Sequence, residues 1–101
     1  MKKLKSTEEL EATKKEHPLF LLYVGMEGCN ICHSDKPKVE ELSQEMKLPA
    51  YEIDYNETPS IRGWLHVFTV PVVLLFREGR EVHRQARIID LEELRYRIEQ
   101  M

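Results

Sequence analysis

Cys29 and Cys32 are the only two thiols in a chain of 101 residues, and two residues separate them. At that spacing a pair of thiols closes a small disulfide ring and opens it again, the chemistry of a dithiol redox centre. In front of the pair, Leu19-Phe20-Leu21-Leu22-Tyr23-Val24 is a short apolar run of strand formers, which Gly25 and Gly28 break. Helical periodicity takes over from Asn30. A Cys-x-x-Cys at the turn from a buried strand into a helix has its first thiol at the helix start. There, unpaired N–H groups and the positive dipole end favour a thiolate.

Other chemistries use the same residues but ask for more than the chain supplies. Cys32-His33 completes Cys-x-x-Cys-His, the pattern of c-type haem attachment, yet a strand precedes it and no export signal is readable. Met1-Lys2-Lys3-Leu4-Lys5 is basic like the start of a signal peptide, but Ser6-Thr7-Glu8-Glu9 follows where an apolar stretch belongs. Zinc needs two further ligands, and His33, His66 and His83 fall on different elements. No metal and no cofactor are therefore expected. The expected compartment is a reducing cytoplasm, where two cysteines serve catalysis or metal binding rather than a permanent bridge. His33 is the histidine to watch, since an imidazolium beside Cys32 assists proton transfer.

Composition narrows the class. With 42% hydrophobic and 33% charged residues the chain is neither disordered nor membrane-spanning, and its length suits one domain over residues 1–101. A net charge of −3 offers no electrostatic reason for a nucleic acid or an anionic membrane as partner. The expected state is a monomer.

The elements that position the thiols follow from capping and periodicity. Ser6 with Glu9 opens a polar helix to about Glu16, which His17-Pro18 stops. The strand from about Leu19 to Val24 is apolar throughout and should be central. A helix from near Cys29 carries Val39, Leu42 and Met46 on one stripe, with a kink expected at Pro37. Ala50–Asp54 reads as a strand, and Thr58-Pro59 as the cap and first residue of a short helix to about Leu65. Val72–Phe76 is the strongest strand signal, with Pro71 at its first position. Glu78-Gly79 turns into Arg80–Arg84, a hairpin partner and edge strand. Asp90 with Glu93 launches a terminal helix carrying Leu91, Leu94 and Ile98. The order α-β-α-β-α-β-β-α predicts an α/β fold: a mixed four-stranded central sheet with helices on both faces.

From Leu19 onward the chain resembles the thioredoxin family. The resemblance rests on Cys29-Asn30-Ile31-Cys32 after an apolar strand, Pro37 five residues beyond the second cysteine, Ile53-Asp54 on the next strand, and Thr69-Val70-Pro71 before a strand ending in Phe76-Arg77-Glu78-Gly79. It implies a thioredoxin-like fold, a cis peptide at Val70-Pro71 beside the thiols, and Val70 backbone groups free to pair with an extended substrate segment. Gly28, Val70 and Pro71 are then the substrate-binding residues. The chain also departs from the family. Asn30 and Ile31 stand where glycine and proline usually separate the cysteines, and Gly28 replaces the usual tryptophan. The family's buried acid falls on Tyr23 and its partner lysine on Ala50, which leaves Glu27 or Glu52 to act through water. The glycine that follows the last strand is missing from Gln85-Ala86-Arg87-Ile88-Ile89.

The expected activity is thiol–disulfide exchange on cytoplasmic protein disulfides. Cys29 attacks as thiolate, and Cys32 resolves the mixed disulfide. Without the family's acid, resolution should be slow at neutral pH. Electrons would come from a flavin-dependent reductase or a low-molecular-weight thiol. The alternative is a thioredoxin-like adaptor domain that holds a partner at Val70-Pro71, with the thiols incidental.

Overall fold

A computed structural model describes residues 1–101. Its centre is the apolar run identified above. β2 (Leu19–Gly25) pairs antiparallel with β4 (Val72–Arg77) on one side and parallel with β3 (Ala50–Asp54) on the other. A strand covered on both faces cannot present polar side chains to either, so β2 and β4 are buried almost from end to end.

Alternation along these strands divides the core in two. Phe20, Leu22 and Val24 with Val72, Leu74 and Phe76 face one way, against Leu10 of α1 (Thr7–Glu16) and Ile61 and Leu65 of α3 (Ser60–Leu65). Leu21, Tyr23, Val73 and Leu75 face the other way, against Cys32, Val39 and Leu42 of α2 (Asn30–Glu45) and Leu94 and Ile98 of α4 (Leu91–Glu99). Helices thus cover both faces, as expected.

The sheet has five strands rather than four, in the order β1-β3-β2-β4-β5. The addition, β1 (Lys2–Lys3), runs parallel to β3, and the next residue completes the seam with a 2.7 Å bond from Leu4 N–H to Glu52 O. Two lysines carry no strand pattern. The open edge of β3 recruits them, and the burial of Leu4 anchors the segment. On the far edge β5 (Arg80–Ala86) runs two residues beyond the expected end, and a register shift between Leu75 and Phe76 leaves Val82 unpaired as a bulge. Glu78 and Gly79 both have positive φ, 51° and 78°, the two-residue primed turn that matches strand twist.

Capping is partly redistributed. Ser6 Oγ accepts from Glu9 N–H, but the Glu9 carboxylate reaches Lys5 N–H rather than the cap itself. Asp90 Oδ1 accepts from Glu93 N–H, while Gln85 Oε1 takes the Asp90 N–H and Glu93 pairs with Arg97. Thr58 is not the cap of α3. That place falls to Pro59, without a side-chain bond, and Thr58 is buried with its N–H on Asp54 O.

Candidate functional site

β2 ends at Gly25, three residues cross the end of the sheet, and Cys29 caps α2 in extended conformation. Its Sγ accepts from Cys32 N–H at 3.1 Å, as a serine hydroxyl would at an ordinary cap. The structure holds the pair as a Cys29–Cys32 disulfide, with Cα atoms 5.2 Å apart. Once that bond is reduced, the same N–H and the dipole of a sixteen-residue helix face a Cys29 thiolate, the condition that lowers a thiol pKa. The two sulfurs differ in access: Cys29 is half-buried, whereas Cys32 is 3% exposed.

The other expected site residues gather at the same end of the sheet. Val70-Pro71 is cis. Pro71 is buried one step before Val72, the partner of Val24, so it lies across from Gly25. Val70, like Cys29, packs against the core cluster that contains Cys32. Gly28 is exposed, with open space where a side chain would stand. After β5, Arg87 adopts a left-handed φ of 71° and donates its N–H to Pro71 O at 2.7 Å. It does so in the stretch where the resemblance led to a glycine.

Behind Cys32 the structure supplies residues whose roles pattern did not disclose. A side chain at Gly25 would stand 2.9 Å from the Tyr23 ring and 3.4 Å from Cys32 Sγ, so the close approach of strand and disulfide requires glycine. The Tyr23 hydroxyl donates to Cys32 O at 2.9 Å. Burial first, then the charges of Asp35 and Glu52, push its pKa up, so it stays a neutral donor. Glu52 is in register with Tyr23 across the β2–β3 pair. Its side chain is only 13% exposed and its Oε2 lies 2.5 Å from Lys36 Nζ. Glu52, Lys36, Tyr23, Gly25 and Cys32 line one open cleft of about 80 Å³. Of the two glutamates considered from sequence, Glu52 turns inward, and Glu27 is exposed at the rim. Lys36 had a readable signal: it follows Cys32 by four residues, hence on the same helix face. His33 is exposed, and its Nε2 is 2.6 Å from Glu27 O, tying the helix start to the preceding loop. No group of three or more His, Cys, Asp or Glu side chains is arranged to hold a metal.

Comparison with known proteins agrees with this geometry. The thioredoxin family model matches residues 2–100. The thioredoxin-like protein YdfQ of Bacillus subtilis is 31% identical over 99 residues, covering 97% of this chain and 88% of that protein. Thioredoxin of Fasciola hepatica superposes with a TM-score of 0.89 at 23% identity, covering 99% of this chain and 98% of the other. A thioredoxin of Halobacterium salinarum gives 0.90 at 23% identity, covering 98% and 88%. A fold of this kind with a Cys-x-x-Cys closed at the end of its central strand defines a thiol–disulfide oxidoreductase. The chain belongs to the thioredoxin family.

Proposed function

We propose that the protein reduces disulfides of protein substrates in a reducing cytoplasm, with Cys29 as nucleophile and Cys32 as resolving thiol. The observation that carries the assignment is the asymmetry of the pair. Cys29 is reachable and receives a helix N–H on its sulfur, whereas Cys32 is buried one turn further in. The Cys29 thiolate attacks a substrate disulfide, forming a mixed disulfide and expelling one substrate thiolate, which takes a proton from solvent. Cys32 then attacks Cys29 Sγ. The Cys29–Cys32 bond forms, the second substrate thiolate leaves, and two electrons have passed from the pair to the substrate. A flavin-dependent reductase or a low-molecular-weight thiol returns them.

Gly28, Val70 and Pro71 form the substrate-binding surface in this reading. Val70 lies outside β4, and neither its N–H nor its C=O is used in the backbone bonds of the turns and loops. Both groups suit an extended substrate segment added as a strand.

The test is turnover of a disulfide-bonded protein substrate, followed by free-thiol release. Cys32→Ser should accumulate a substrate–Cys29 mixed disulfide visible on non-reducing gels, and Cys29→Ser should abolish turnover. Turnover that survives loss of Cys29 would overturn the assigned roles. A pair that does not cycle in graded thiol–disulfide buffers would leave a binding domain instead.

A further inference from the structure

The Cys32 thiol must lose a proton before it can resolve a mixed disulfide. An ordinary cysteine has a pKa of about 8.5, and burial moves it further from neutrality. At 3% exposure Cys32 needs a base within reach.

The groups around the cleft can be taken element by element. From β2, Tyr23 is committed as a donor to Cys32 O and is held protonated by burial and by the charges of Asp35 and Glu52. From α2, Lys36 is a cation engaged with Glu52. Asp35 is half-buried on the same helix but does not line the cleft. His33, at the rim of the cleft, is exposed, and its Nε2 donates to Glu27 O, which ties the ring to the loop and leaves Nδ1 as its one acceptor. Glu27, in the loop, is exposed. From β1, Lys3 pairs with Glu57. From β3, Asp54 also lines the cleft, opposite Gly25, but its Oδ1 is spent on the N–H groups of Asn56 and Glu57, which ties it to the turn after the strand, and no cation pairs with it. Among the carboxylates of the cleft, Glu52 is the one paired with a cation. Its side chain is sheltered, its Oε2 is fixed by Lys36, and Oε1 is left for water. The cleft it shares with Cys32 holds about 80 Å³, several times the roughly 10–15 Å³ that one water requires.

We infer that Glu52, oriented by Lys36, accepts the Cys32 thiol proton through water in the cleft beside Gly25. This rests on the dithiol exchange proposed above. In the resolving step the proton passes from Cys32 Sγ to a cleft water, and that water gives a proton to the Glu52 carboxylate. The Cys32 thiolate attacks Cys29 Sγ, the bond from Cys29 to the substrate sulfur breaks, and the substrate leaves as thiolate. Glu52 returns its proton to solvent through the open mouth of the cleft. Lys36 is a positioning residue, touching Glu52 but no sulfur.

The experiment reacts the reduced protein with an aromatic disulfide whose released thiolate is coloured, and resolves in time the second release, which reports attack by Cys32. Rates are recorded from pH 5.5 to 10 for wild type, Glu52→Gln, Lys36→Met and His33→Gln. Glu52→Gln should slow the second release at least tenfold at pH 7 and converge on wild type near pH 10, where hydroxide removes the proton directly. Lys36→Met should show a smaller slowing of the same shape, and His33→Gln should follow wild type. A Glu52→Gln profile that coincides with wild type, or lies below it by one factor at every pH, overturns the inference. So does a pH-dependent slowing confined to His33→Gln. The dithiol reading fails separately, by absence of any second release from wild type at high pH.

Discussion

The two faces of the central sheet are built from the same two strands and have different contents. Toward α1 and α3 the filling is hydrocarbon and aromatic: Phe20 stacks on Phe76 with ring centroids 5.0 Å apart, and Tyr51 meets Phe20 edge-on at 5.9 Å. Toward α2 and α4 the core also holds Cys32, the Tyr23 hydroxyl and the wall of a cleft open to solvent. One face stabilises the scaffold, and the other keeps a sulfur sheltered on the wall of a cleft that Glu52 also lines. The lesson is that alternation along a buried strand lets a packed core and a reactive site share a backbone, because successive side chains never meet.

The comparison is sharpest if its halves fail independently. Phe20→Ala removes a fully buried ring and should lower unfolding stability by about 3–5 kcal/mol in denaturant titration. The reactivity of Cys29 toward an alkylating agent should stay unchanged under native conditions. If Cys29 reactivity moved with it, the faces would be coupled and the division wrong. A smaller effect is expected at the strand end. Gly25→Ala forces the Tyr23 ring and Cys32 apart, at a cost of about 1–3 kcal/mol, and should also change the rate of resolution by Cys32.

The smallest effect is a pH dependence confined to the second face. His83, opposite Leu75 on β5, has its pKa pushed down by burial and by Arg97, against a partial opposing pull from Glu93. The unfolded chain therefore binds this proton more readily than the folded one. The stability contributed is fully present above the unfolded value near 6.5 and is lost as pH falls through the folded one. Chemical denaturation between pH 7.5 and 5 should show that decline in wild type and in Phe20→Ala alike, and a reduced decline in His83→Gln. An unchanged slope in His83→Gln would remove the histidine as its source.

Much of this architecture was legible in the residues. The apolar run 19–24, the Gly79 turn and the caps at Ser6 and Asp90 are local signals, each with a short-range physical cause, and the Cys-x-x-Cys stood at the predicted strand-to-helix turn. The fifth strand was not legible. Lys2-Lys3 has no intrinsic strand preference, and its hydrogen bonds belong to the edge of β3, where Lys2 pairs with Tyr51 and Lys3 with Glu52. Thr58 misled for a related reason, since burial took the residue that propensity alone would have made a cap.

By itself the sequence determined which atoms are available for chemistry. It set two thiols at one turn's spacing, the N-terminus of a helix to receive the first, and Tyr23 in place of an acid. Only the tertiary structure decided which carboxylate of the cleft stands opposite Tyr23 and pairs with Lys36. Glu52 comes from another strand, and what brings it there is the parallel register of β3 with β2, which puts it opposite Tyr23. That register follows from which side chains of the two strands are buried together on each face, a match between distant segments that no short stretch displays alone.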